Sequence, residues 1–133
     1  MNAMWLIAGI LGWSAAAVHA IGGERMIFPG VDPQTLPSTR FGGQATTRRL
    51  LRTTWHITSV AFAVSATVLL VCATIGATDA IRGAARVAAA SFSAFAVVVI
   101  IAARSQGPRG LFRHPAPFLL AATIAGIAWW GAA

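Results

Sequence analysis

The chain has 133 residues, of which 57% are hydrophobic and only 10% are charged. It contains three carboxylates and no lysine, too few charged groups to cover the surface of a soluble domain of this size. The composition therefore excludes an ordinary soluble domain and predicts an integral membrane protein whose apolar side chains face lipid and each other.

The formal net charge of +7 comes from arginines that lie beside apolar stretches. No nucleic-acid-binding motif accompanies them, so we expect contacts with membrane lipids, through their anionic headgroups, and no binding of nucleic acid. The chain has one cysteine, Cys72, which excludes an internal disulfide and a Cys-x-x-Cys redox pair. We expect Cys72 to be a small buried apolar side chain.

Four stretches are apolar for long enough to cross a bilayer: residues 3–21, 53–78, 80–103 and 115–132. About 20 helical residues, each rising roughly 1.5 Å, cover a hydrocarbon core of roughly 30 Å. None of the stretches alternates polar and apolar residues as membrane strands do. The sequence therefore predicts an all-α membrane protein, with a single domain over residues 1–133 folded as a four-transmembrane-helix bundle of up-down topology.

The ends of the first span offer two further predictions. Val18-His19-Ala20 resembles a signal-peptidase site, but no positive charge precedes the apolar run, so we expect the span to be retained. Gly22-Gly23 predicts a tight exit from the helix. The long loop 22–52 that follows ends in a basic stretch, 46–52, which we interpret as an extension of the second helix.

The arginines are distributed unevenly between the loops. Five lie in loop 22–52 and three between the third and fourth spans, against Arg82 and Arg86 after the second span. The positive-inside rule then places both longer loops in the cytoplasm and both termini outside. Heavy use of alanine and arginine is typical of a GC-rich bacterial genome, so the predicted location is the bacterial cytoplasmic membrane. We expect interface anchors at Arg48, Arg49, Arg52, Trp55, Arg113, Trp129 and Trp130, with Trp5 at the outer interface as well.

Small residues recur at a spacing of four in three of the spans. Such residues let membrane helices approach closely, although an alanine-rich chain also produces the pattern by chance. The predicted contact positions are Ala8, Gly12 and Ala16 in the first span, Ala85, Ala89 and Ser93 in the third, and Ala122 and Gly126 in the fourth.

All three histidines fall at the cytoplasmic ends of predicted spans. Counting about 1.5 Å per residue, His19 lies roughly 10 Å from the membrane centre and His56 and His114 roughly 15 Å. Three imidazoles at one level could hold a metal ion or a haem, or handle a proton or quinone. In such a site Glu24 would be the carboxylate that hydrogen-bonds to a ligating histidine, or the general base. The alternative is that the histidines bond to backbone carbonyls at helix ends, while Glu24 pairs with Arg25 or Arg52.

The sequence lacks the residues that several activities require. No charged group lies in the middle of a span, so the resemblance to small multidrug exporters, which need an intramembrane glutamate, is one of layout only. Nucleophile motifs and phosphate-binding loops are also absent. The string from His19 to Arg25, with Trp55-His56 and His114-Pro115, resembles small bacterial four-span membrane proteins of unknown function, which implies the fold and no activity.

The sequence favours a non-catalytic accessory or assembly subunit of a larger bacterial membrane complex of the respiratory or photosynthetic type. The motivation is a minimal helical body with little mass outside the membrane and no catalytic set. One alternative is a small metal- or haem-binding membrane protein with a three-histidine site, His19, His56 and His114, at the cytoplasmic interface. Another is a small transporter or channel.

Overall fold

A computed structural model describes residues 1–40, 42–105 and 115–133. The described residues form four α-helices: α1 (Ala3–Gly22), α2 (Gln44–Ile75), α3 (Asp79–Arg104) and α4 (Ala116–Ala132). Among these residues there is no β-strand, only an isolated bridge between Thr39 and Gly42. The all-helical fold predicted from the sequence is confirmed.

Three of the helices are long and apolar enough to cross a membrane. These are α1 with the helical turns that continue it to Gly30, α2, and α3. The fourth, α4, is also apolar but has 17 residues, and its length of about 25 Å is a little less than a typical hydrocarbon core. The helix α2 begins at Gln44, so it includes the basic stretch 46–52 as expected.

The first helix begins at a side-chain cap. The oxygen of the Asn2 side chain accepts hydrogen bonds from the backbone N–H groups of Met4 (3.1 Å) and Trp5 (3.2 Å), which otherwise have no partner within the helix. The backbone N–H of Asn2 donates to the carbonyl of Ala73, and its side-chain amide donates to the carbonyl of Gly131. Asn2 therefore joins the start of α1 to the ends of α2 and α4.

The exit from α1 differs from the prediction. Gly22 and Gly23 both keep right-handed helical backbone angles, and the chain continues into a π-helical turn, Gly23–Ile27, and a 3-10 turn, Phe28–Gly30. The expectation of a tight turn at the two glycines is therefore wrong. Glycine at position 23 instead leaves room for the side chain of Trp55, which packs against it.

The connection between α2 and α3 is short, as the sequence predicts. Gly76 follows α2 with a φ of 104°, a value that favours glycine, and Thr78 caps α3 by accepting a hydrogen bond from the N–H of Ile81 at 3.3 Å. Three residues therefore separate two antiparallel neighbours.

The helices form a closed ring in chain order, with α1 and α3 each packed between α2 and α4. The interior is filled mainly by alanine, and its largest fully buried side chains are Trp5, Leu69, Phe92 and Ile124. The small residues predicted for α1 are buried, and so are Ala85 and Ala89 of α3. An added Cβ at Gly12 would lie 2.8 Å from the Cβ of Ala66, so α1 and α2 are in close contact there.

In α4 the predicted contact positions do not face the other helices of the bundle. Ala122 is only half-buried and Gly126 is exposed, whereas the buried alanines of this helix are Ala121, Ala125, Ala128 and Ala132. The helix is apolar on all sides, so its sequence does not mark an inner face. Contacts with the other helices select that face instead.

Trp5, predicted at the outer interface, is one of those contacts and lies inside the bundle. It is fully buried and donates through Nε1 to the carbonyl of Ala128 at 3.3 Å. An added Cβ at Gly131 would lie 2.6 Å from the Cδ1 atom of Trp5, so the glycine leaves room for the indole ring. The indole therefore packs against α4.

Candidate functional site

A group of polar side chains lies where α1 ends in its π turn and α2 runs beside it. We call Glu24, Arg52 and His56 the Glu24 cluster. The Oε1 atom of Glu24 accepts hydrogen bonds from Nε of Arg52 and Nε2 of His56, both at 2.6 Å. The Oε2 atom accepts from Nη2 of Arg52, which makes the ion pair bidentate. Of the two arginines considered as partners for Glu24, the structure pairs it with Arg52.

The spacing along α2 explains how two side chains reach one carboxylate. Arg52 and His56 are four residues apart and therefore lie on the same face of the helix. The hydrogen bond from Arg52 lowers the pKa of Glu24 most, and the hydrogen bond from His56 lowers it further. An ionised carboxylate can only accept hydrogen bonds, so Nε2 of His56 carries a proton. The Nδ1 atom of His56 makes no hydrogen bond to another described residue.

His19 and Trp55 form a second contact between the same two helices. Their rings are stacked with centroids 4.0 Å apart, and the indole N–H of Trp55 donates to the carbonyl of His19 at 2.7 Å. The Nδ1 atom of His19 lies 2.9 Å from the hydroxyl of Ser59, one turn further along α2. Phe62 packs edge-on against the imidazole. His19 is thus held on one side by an aromatic face and along its edge by a hydroxyl.

Gly23 makes this contact possible. A Cβ added at Gly23 would lie 2.1 Å from Nε1 of Trp55, which is far too close for two non-bonded heavy atoms. The indole therefore lies directly against the backbone of the π turn, with Phe28 packed edge-on on it. By contrast, an added Cβ at Gly22 would meet nothing within 4 Å. Of the two adjacent glycines, only Gly23 is required by packing.

The structure describes two of the three predicted metal-ligating histidines. His19 and His56 both lie at the α1–α2 junction, and the predicted carboxylate partner, Glu24, contacts His56. His114 lies outside the described residues. Over residues 1–40, 42–105 and 115–133, no three His, Cys, Asp or Glu side chains are grouped so that they could hold a metal ion. The ring nitrogens without a described partner are Nδ1 of His56 and Nε2 of His19.

The predicted interface anchors lie at both ends of the bundle. Arg48 donates through Nη2 to the carbonyl of Phe28 at 3.1 Å. Trp129 donates to the hydroxyl of Ser93 at 3.1 Å, and Trp130 is 76% exposed. Trp55 is half-buried in the contact with His19. Arg113 lies outside the described residues.

One face of α2 carries a groove beside the Glu24 cluster. It is shallow and largely open, with a volume of about 610 Å³, and is lined by Arg49, Arg52, Thr53, His56, Ile57 and Val60. These positions repeat at intervals of three and four, so they share one helix face. The groove was not predicted, although the periodic mixture of basic and apolar residues along α2 is a sequence signal for it. We call it the α2 groove.

Comparisons with known proteins give no relative to which this site can be related. No protein-family model, no curated protein and no solved structure matches the chain.

Proposed function

We propose that this protein is a non-catalytic accessory or assembly subunit of a larger complex in the bacterial cytoplasmic membrane, of the respiratory or photosynthetic type. In this proposal all four helices span the bilayer, the α1–α2 loop faces the cytoplasm, and both termini lie outside. The unequal distribution of arginines supports that orientation.

The outward face of α4 is the observation that carries the proposal. Leu119, Thr123, Gly126 and Trp130 follow one another at intervals of four, three and four, and all are exposed. An added Cβ at Gly126 would meet nothing within 4 Å, so contacts inside the protein do not require a glycine there. Small residues at the surface of a membrane helix allow a second helix to approach closely. We infer that α4 presents this face to a partner subunit.

The polar groups of the α1–α2 junction support a structural role. Glu24 is neutralised by Arg52 and also bonded to His56, and His19 is engaged by Trp55 and Ser59. Each of these contacts joins α1 or its π turn to α2. Their common effect is to fix the position of one helix on the other, which is a structural rather than a catalytic role.

The interior gives little support to the transporter alternative. The buried polar side chains of the described residues are Ser59 and Ser65, and no charged side chain is buried among them. Coupled transporters carry ionisable groups near the membrane centre, facing the bundle interior or a water-filled cavity. The charged groups described here lie instead toward the ends of the helices.

The metal or haem alternative has a specific structural requirement. His56 would ligate through Nδ1, or its Nε2 would leave Glu24, and His19 would ligate through Nε2. If the purified protein carried a stoichiometric metal ion or haem that His19→Ala and His56→Ala both removed, this alternative would replace the accessory role.

The test is purification from native membranes in mild detergent, through a tag on the chain. We expect stoichiometric partner polypeptides with the wild type and their loss with Gly126→Leu, which fills the outward face of α4. Ala94→Leu makes a similar enlargement at an exposed position of α3 and should keep the partners. A homogeneous particle that contains only this chain would overturn the proposal.

A further inference from the structure

The α2 groove combines two kinds of surface in a fixed order along one helix. Arg49, Arg52 and Thr53 lie at the end nearest the start of α2, and Ile57 and Val60 lie one to two turns further on. Ile57 is 62% exposed and Val60 is 60% exposed. From Arg49 to Val60 the helix rises by about 16 Å along its axis. The groove therefore runs from a basic, hydrogen-bonding end to an apolar end.

That order matches the depth profile of a bilayer. With the second span beginning near Thr53, the two arginines lie at the level of the lipid headgroups and the apolar residues at the level of the acyl chains. The headgroup layer is roughly 5–8 Å thick on each side, so a groove of about 16 Å extends well past it into the hydrocarbon.

The charge of the groove identifies the ligand class. The guanidinium groups of Arg49 and Arg52 line it, and the carboxylate of Glu24 neutralises the positive charge of Arg52. Arg49 leaves a net charge of about one positive unit, which matches the single negative charge of a phosphodiester. Guanidinium groups bind phosphate oxygens well, and the hydroxyl of Thr53 is a further donor at the same level.

We propose that the α2 groove binds one anionic phospholipid, with its phosphodiester held by Arg49 and Thr53 and one acyl chain lying along Ile57 and Val60. A free phosphate would use only the basic end of the groove, and a zwitterionic lipid would bring a cationic group to the arginines. The inference depends on the membrane location of α2 but not on the accessory role.

The test uses the purified full-length chain in an uncharged detergent and native mass spectrometry to count bound lipids. Phosphatidylglycerol is compared with phosphatidylcholine of the same acyl chains. We expect one phosphatidylglycerol molecule to bind in preference to phosphatidylcholine. Arg49→Gln should weaken this binding by about fivefold, the effect of one basic residue at a lipid surface. Val60→Ser should weaken it as well, because it removes apolar contact with the chain.

Arg40→Gln is the matched control, since it removes the same charge from an exposed position in the loop. It should leave binding unchanged, and the thermal unfolding of all variants without added lipid should match the wild type. The proposal fails if Arg40→Gln and Arg49→Gln weaken binding equally, which would indicate bulk charge. It also fails if phosphatidylcholine binds as well, if soluble glycerol phosphate displaces the lipid completely, or if the wild type retains no lipid. Because the assay uses the chain alone, its result does not depend on whether partner subunits exist.

Discussion

The imidazole of His19 lies parallel to the indole of Trp55, with an interplanar angle of 7°, and the indole N–H donates to the carbonyl of the same histidine. Trp55 thus holds both the side chain and the backbone of His19. The contact fixes the end of α1 against α2 and so determines where the π turn places Glu24. The alignment of Glu24 with Arg52 and His56 follows from it.

Replacing Trp55 should destabilise the protein, and the loss should depend on how much of the indole's interaction with His19 the new side chain retains. We expect Trp55→Leu, which removes the stacked ring and the hydrogen bond, to lower the free energy of unfolding by about 2 kcal/mol. Trp55→Phe keeps an aromatic ring and removes only the N–H donor, so it should lower that free energy by about 1 kcal/mol. Reversible unfolding in detergent micelles measures both.

Trp130→Leu is the control for these variants, because its indole is exposed. A change below about 0.5 kcal/mol is expected there. Equal losses of stability at Trp55 and Trp130 would mean that the stacked contact has no special role.

The two adjacent glycines should respond in opposite ways to the same substitution. Gly23→Ala places a methyl group against the indole of Trp55 and should destabilise the fold by about 1–3 kcal/mol. Gly22→Ala meets open space in a helical conformation and should be neutral, or stabilising by up to about 1 kcal/mol. If thermal unfolding showed the reverse order, the position of Trp55 against the π turn would be incorrect.

The helices could be predicted from the sequence because each contains a long apolar run. The third predicted span, for example, begins at residue 80, and α3 begins at Asp79 with Thr78 as its cap. The inner face of α4 could not be predicted, because Ala122 and Ala121 have the same character and only the neighbouring helices distinguish them. For the same reason the burial of Trp5 was missed, since it depends on space left by Gly131 on another helix.

The candidate site could be predicted only in part. The shared level of His19 and His56 follows from their places at helix ends, and the sequence offered Arg52 as a partner of Glu24. Two features could not be derived from spacing alone. One is the π turn, which brings the carboxylate to α2, and the other is the lack of a Cβ at Gly23, which admits the indole of Trp55.

Acid should weaken the Glu24 cluster. The hydrogen bonds from Arg52 and His56 lower the pKa of Glu24 in the folded protein. Glu24 therefore stabilises the folded state fully at pH values above the pKa that it has in the unfolded chain. That contribution disappears as the pH falls through the lowered folded value. We expect the melting temperature of the wild type to fall below about pH 4, and Glu24→Gln to lose that part of the pH dependence.

Asp32→Asn provides the control for this titration. Asp32 accepts a hydrogen bond from the N–H of Gln34, and asparagine keeps an acceptor oxygen at the same place. The acid profile of Asp32→Asn should resemble that of the wild type. An unchanged profile in Glu24→Gln would show that the cluster does not contribute to stability.

The orientation of α4 predicts a difference between two neighbouring small residues. Ala128 is fully buried, so Ala128→Leu should overpack the interior and destabilise the isolated chain by about 1–3 kcal/mol. Gly126 faces outward, so Gly126→Ala should leave the isolated chain within about 1 kcal/mol of the wild type. A destabilisation at Gly126 as large as that at Ala128 would indicate that α4 is rotated from its described position.

The proposed membrane orientation can be tested at opposite ends of the bundle. Ala77 lies in the connection between α2 and α3, at the same end as Asn2, whereas Ser38 lies in the loop before α2. In a Cys72→Ala background, a membrane-impermeant maleimide added to intact spheroplasts should label Ala77→Cys but leave Ser38→Cys unlabelled until the membrane is permeabilised. The physical reason is that the arginine-rich loops remain in the cytoplasm. The opposite pattern would put the α2 groove at the outer leaflet, and labelling of both positions in intact spheroplasts would contradict a spanning α2.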